Sequence, residues 1–150
     1  MPVKLRWEPH GAMIIPTGVV TADEVHQVQQ LILTPPGTLE PKYQVIDARY
    51  LEKFDFNQLE MFNISADDLA LSRKFSNFKT AMITGNKEVE KTFFDHLKIS
   101  WSMQPEDQLR IFNDLALARE WIGLPHPDDN MDTSSGASDQ TGISLPKDPK

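Results

Sequence analysis

Leu109-Arg110-Ile111-Phe112-Asn113-Asp114-Leu115-Ala116-Leu117-Ala118-Arg119-Glu120-Trp121-Ile122-Gly123 places a strand, a capped turn and an amphipathic helix end to end. Residues 108–112 read as the strand. Asn113 or Asp114 is the cap, its side chain able to accept from the first free N–H groups of the helix, and Leu115, Ala118 and Trp121 or Ile122 form the buried stripe. A strand that runs straight into a helix is half of a parallel crossover, and the same rhythm repeats toward the N-terminus.

Residues 4–8 and 12–20 are apolar, β-branched-rich runs joined by Pro9-His10-Gly11, as in an antiparallel hairpin. Pro16 lacks a backbone donor and puts a strand edge or a bulge near the middle of the second run. Thr21-Ala22-Asp23-Glu24 is a capping box ahead of Val25, Val28 and Ile32, so a first helix runs to about Leu33, where Thr34-Pro35-Pro36-Gly37 stops it. Residues 43–48 form a compact strand whose last polar residue is Asp47. Residues 57–75 are helical but interrupted, and Ser65-Ala66-Asp67-Asp68 has the look of a second N-terminus, so one kinked helix or two short ones fit. Residues 79–84 form the next strand and Gly85-Asn86 its exit turn. Val89, Phe93 and Leu97 mark the stripe of a third helix, with Glu88 and Glu90 at the positive end of its dipole.

The expectation is an α/β domain: a mixed sheet of about five strands, mostly parallel, with an N-terminal antiparallel hairpin and about four helices in the order ββαβαβαβα. Its 150 residues, 39% hydrophobic, suffice for one domain with a real core. The domain is placed at residues 1–125. Residues 126–150 carry five acids against two lysines and no aromatic side chain, a composition that does not offset the cost of ordering a chain, and are read as a disordered acidic tail.

The order of elements, Val45-Ile46-Asp47 at a strand end, Thr80-Ala81-Met82-Ile83-Thr84, and above all residues 110–122 resemble the SpoIIAA-like, STAS-type domains of bacteria over residues 10–123. Members of that family work as interaction modules switched by a phosphorylatable serine in an Asp-Ser-Ser-Gly type motif. Here the corresponding region, residues 54–59, has Asp55 followed by no serine, threonine or glycine, so the resemblance implies the frame without the phosphate switch.

Composition excludes several functions. A net charge of −7 with no Lys/Arg cluster argues against nucleic-acid binding, and no run approaches the roughly 18 apolar residues of a membrane span. The start of the chain has no apolar leader, and the absence of cysteine fits a reducing compartment, so a cytoplasmic location is expected. Histidines at 10, 26, 96 and 126 lack metal-ligand spacing, and no Gly-x-Ser-x-Gly elbow exists, so no metal, cofactor or enzymatic activity is expected. Asp95-His96 is read as a solvent-facing pair and Ser65 as a helix cap.

Two binding readings remain. The first is a noncatalytic interaction or regulatory module that docks a protein partner, or a second copy of itself, through Phe54, Phe56, Asn57 and Phe62. The second takes a small anionic or lipidic ligand beyond the carboxyl ends of the strands, where Asp47, Arg49, Asn86 and Lys87 gather.

Overall fold

The structure, a computed structural model, describes residues 3–102, 108–129 and 142–144. Strands β1 (Val3–Trp7) and β2 (Gly11–Pro16) pair as the expected hairpin, Val3 opposite Pro16 and Trp7 opposite Ala12. β4 (Tyr43–Ala48), β6 (Lys79–Thr84) and β7 (Leu109–Phe112) then add in parallel beyond β2. The sheet is therefore mixed and mostly parallel, with four helices among the described residues: α1 (Ala22–Leu33), α2 (Gln58–Lys74), α3 (Lys87–Trp101) and α4 (Leu115–Ile122). A sixth strand, β8 (Gly142–Ser144), lies antiparallel on the outer edge of β1, giving the order β7-β6-β4-β2-β1-β8.

Two strands besides β8 stand outside the sequence expectation. The second apolar run does not continue past Pro16: β2 ends there, and β3 (Gly18–Thr21) starts at a glycine with φ +67°, a backbone turn that a Cβ would strain. β3 pairs in parallel with β5 (Leu51–Asp55), forming a two-stranded sheet of its own. Each of these short strands delivers the chain to a capping box: Thr21 with Glu24 opens α1, and Asn57 with Glu60 opens α2. With that cap in place α2 is one uninterrupted helix of 17 residues, and Ser65 lies in its interior.

The strands alternate between the two faces of the sheet. Ala12, Ile14 and Met82 join Val28, Ile32, Leu71, Val89, Phe93 and Leu97 in a large core under α1, α2 and α3. Met13, Tyr43, Val45, Ala81 and Ile83 form a smaller core with Ala118 and Ile122 of α4. Trp121 is the rim of that second core, half-buried against Phe112, while Ile122 takes the buried position.

The stretch read as a disordered tail contributes two placed pieces, the segment through Asp129 and the strand β8. Residues 130–141 and 145–150 lie outside the described residues.

Candidate functional site

The larger core is not closed. Between the sheet and helices α1 to α3 lies a cavity of about 60 Å³. Ile14, Ile46 and Met82 of the sheet form one wall, Val25 and Val28 of α1 a second, and Met61, Ile64 and Phe93 of α2 and α3 a third. Phe54 and Phe56 close the side nearest β5, their rings stacked at 4.9 Å, with Phe93 tilted against Phe54 at 5.6 Å. Among the described residues no lysine or arginine lines it.

Its polar lining comes from Gln29, Gln44, Asp68 and His96, all buried. Gln44 and Thr80 face each other across β4 and β6, on the face covered by three helices, and the Gln44 amide donates to the Thr80 hydroxyl at 3.0 Å. Asp68 is the hub. Its Oδ1 accepts from Gln29 Nε2 at 2.9 Å and Gln44 Nε2 at 3.4 Å, and its Oδ2 lies 2.7 Å from His96 Nε2. Because a carboxylate only accepts, His96 Nε2–H is the donor to Asp68, and the ring's Nδ1 meets the Ser65 hydroxyl at 2.9 Å. Both hydrogens of the Gln29 amide are thus engaged, one by Asp68 and one by the Ile64 carbonyl at 3.2 Å. Its Oε1 is buried and has no partner among the described residues.

Ser65, His96 and Asp68 are the residue types of a hydrolase triad, but the arrangement opposes nucleophilic attack. The Ser65 hydroxyl is fully buried in the α2–α3 contact and does not line the cavity. Mid-helix, its surrounding backbone N–H groups are consumed by the helix itself, leaving no donors for an oxyanion. The expectation of a solvent-facing Asp95-His96 pair is corrected: one helix step separates His96, pointing into the core, from Asp95, which pairs on the surface with Lys91 at 3.0 Å. Ser65 is likewise a core hydrogen-bonding group instead of a cap.

Outside the Phe54–Phe56 wall is a groove of about 510 Å³ between the start of α2 and the far half of α3. Phe54, Phe56, Met61 and Thr92 line both the groove and the cavity, so these side chains are the partition between them. Of the residues expected to dock a partner, Phe54, Phe56 and Asn57 meet at this groove, with Asn57 also capping α2. Phe62 does not join them. It is 51% exposed on α2 beside Leu59, which is 68% exposed.

The residues expected to hold a ligand at the strand ends have other partners. Arg49 clasps Asp47 in a two-pronged ion pair, Nε to Oδ1 and Nη2 to Oδ2, each 2.8 Å, and this hydrogen bonding holds Arg49 firmly protonated. Asn86 caps α3 through the Val89 N–H and donates to the Leu51 and Glu52 carbonyls, tying α3 to β5. A Cβ on Gly85 would stand 2.4 Å from the Arg49 carbonyl oxygen, so the two chains abut where the crossover loops leave β4 and β6. Lys87 is exposed at the first turn of α3. None of the four lines the cavity or the groove.

The opposite face carries a second buried polar group. Arg119 of α4 donates to both oxygens of Glu8, at 2.6 and 2.8 Å, and to both oxygens of Asp129, at 2.6 and 3.1 Å. The Tyr43 hydroxyl donates to Glu8 as well. Burial pushes the Glu8 carboxyl up, but hydrogen bonds from Arg119 and Tyr43, with the charges of Arg119 and Arg6, more than reverse it, and the group sits below its ordinary value of 4.5. Burial and the Glu8 bond push the Tyr43 phenol up.

Gln29, Gln44, Asp68 and His96 were not singled out as site residues by sequence reasoning. Gln44 carried a usable signal, since a glutamine inside an apolar run of a strand covered on both faces needs a buried partner. The partners themselves are 28 to 39 residues distant in pairs such as His96 with Asp68 and Gln29 with Asp68, beyond any local pattern. Among the described residues no three acidic or histidine side chains converge as metal ligands, and no helix is long and apolar enough to cross a membrane. Compared with known proteins, the chain matches no protein family, no curated protein and no solved structure.

Proposed function

We propose that the chain is a noncatalytic binding module that takes a small, largely apolar ligand in the cavity between its sheet and helices α1 to α3. One observation carries this reading: an apolar enclosure in a hydrophobic core counts four buried polar residues, Gln29, Gln44, Asp68 and His96, among its lining. Mostly apolar walls with a few convergent polar groups are the usual make-up of a small-molecule site. Binding there draws on contact with Phe54, Phe56, Met61 and Phe93, and a chain longer than the cavity passes the phenylalanine partition into the groove. The lipidic alternative read from the sequence moves from the strand ends to this cavity.

The test is thermal unfolding with a panel of short-chain alcohols. At ligand concentrations of about 100 times Kd the native state gains about 2.7 kcal/mol, so a melting-temperature rise of several degrees is expected. Val25→Phe, which fills the cavity from α1, abolishes the rise. A rise that persists in Val25→Phe, or none in the parent chain, contradicts the reading.

A second reading keeps the STAS-type frame as an interaction module and is favoured by Leu59 and Phe62, two large apolar side chains exposed three residues apart on one face of α2. It predicts self-association or partner capture, visible in size-exclusion chromatography with light scattering and in pull-downs, that Phe62→Asp abolishes.

A further inference from the structure

We infer that the ligand is a single-chain amphiphile: the end of its apolar chain fills the cavity, its polar head lies in the groove outside, and Phe56 is the leaf that lets the chain pass. This ligand class and this entrance rest on the binding module proposed above and specify it.

Size points to two spaces used together. A cavity of about 60 Å³ has room for the end of an alkyl chain and lies far below the roughly 300–1,000 Å³ of a complete small-molecule site. The groove, about 510 Å³, lies within that range. The two also divide the chemistry of an amphiphile. The walls of the cavity are mostly Val, Ile, Met and Phe side chains, whereas Asn57, Gln58, Thr92, Asp95 and Lys98 give the groove amides, a hydroxyl and one charge of each sign. A head group that stays in the groove keeps hydrogen-bond partners, and only the apolar chain leaves water.

Burial shows where the cavity opens. Among the described residues of its lining, Val25, Ile46, Phe54, Phe56 and Thr92 are half-buried, and the last three also line the groove. Two of these three are held in place. Phe54 packs on the larger core, its ring 5.6 Å from that of buried Phe93, and the Thr92 hydroxyl donates to the Glu88 carbonyl of its own helix at 3.2 Å. Phe56 stands on the link between β5 and α2, outside both elements, and stacks on Phe54 at 4.9 Å. Turning Phe56 aside gives up that stack, whereas turning Phe54 aside breaks into the core. Of the two rings, Phe56 is therefore the one that moves at the lower cost.

Butan-1-ol and octan-1-ol, each titrated into the full chain with amide chemical-shift mapping, provide the test. Butan-1-ol is expected to shift the cavity amides of Gln29, Ile64 and His96, and octan-1-ol to shift these together with the groove amides of Asn57, Gln58, Asp95 and Lys98. Octan-1-ol is expected to bind tighter, by about fourfold for each added methylene that leaves water. In Phe56→Ala the exchange of octan-1-ol between free and bound states is expected to quicken about two- to tenfold, the span that one stacked ring pair accounts for. Phe94→Ala, at an exposed position of α3 that lines neither space, is expected to leave that rate unchanged. Where Phe56→Ala does not fold, Phe56→Leu, which keeps apolar bulk and loses the ring stack, replaces it. Octan-1-ol shifts confined to the cavity, no gain in affinity over butan-1-ol, or an exchange rate that Phe56→Ala leaves unchanged or Phe94→Ala raises equally overturns this inference, and butan-1-ol bound in the cavity then leaves the binding module standing. Binding of neither alcohol in the cavity overturns both.

Discussion

Under α4, Arg119 meets both oxygens of Glu8 and both oxygens of Asp129, while on the other face of the same sheet Asp68 gathers its donors beside a cavity and Gln29 keeps an acceptor with no partner among the described residues. Both groups are buried and polar, and both join elements far apart in the chain. They differ in completeness. The Glu8–Arg119–Asp129 group leaves none of its carboxylate oxygens or guanidinium nitrogens without a partner, as expected of a structural lock. The Asp68 group borders a cavity, and its Gln29 Oε1 has no partner among the described residues.

The contrast predicts unequal responses to mutation. Arg119→Met removes the cation that bridges Glu8 and Asp129, leaving Glu8 only Arg6 and Tyr43, and is expected to cost about 3–5 kcal/mol in urea unfolding, with the alcohol titration unchanged in any fraction that stays folded. His96→Phe removes one of three donors to Asp68 and is expected to cost less, about 1–3 kcal/mol, and to weaken ligand binding. If the two losses are equal, or if Arg119→Met alters binding, the division of labour between the faces is wrong.

Acid separates the faces as well. The Glu8 carboxyl is held below its ordinary value in the native state, so its contribution to stability is complete above about pH 4.5 and is lost as pH falls through the lower native value. A plot of unfolding free energy against pH is expected to fall on that limb, and Glu8→Gln to flatten it. Asp129→Ala cuts the C-terminal segment loose from Arg119 while leaving Glu8 in place, with an expected cost of about 1.5–3 kcal/mol by chemical denaturation. Thr21→Ala touches neither polar group and removes only the α1 cap, costing about 1 kcal/mol on the same scale.

How much of this was written locally in the chain follows from the reach of each interaction. The closing segment was legible because a strand, the Asp114 cap and the Ala118/Ile122 stripe all act within a few residues, and the Thr21–Glu24 capping box was legible for the same reason. β5 was missed: Leu51-Glu52-Lys53-Phe54-Asp55 is short, half charged and pairs only with β3. Ser65-Ala66-Asp67-Asp68 imitates a helix start, and only the approach of α3 shows Ser65 and Asp68 as two arms, one helical turn apart, closing on a single histidine. Of the strand-end residues, Asp47 spends its carboxylate on Arg49 two positions on, a pairing that their spacing permits without requiring. The cavity itself has no local signature. It is the space left when Val28, Ile64 and Phe93, from three helices, pack over Ile14 and Met82 without filling the gap between them.

The most direct test of the central claim is the map of amide chemical-shift changes on titration with butan-1-ol. The account predicts saturable shifts concentrated at Gln29, Ile64, Phe93 and His96, with Ala81, Ala118 and Ile122 across the sheet unmoved. Shifts centred on the α4 face, or no saturable shifts at the cavity, would contradict it.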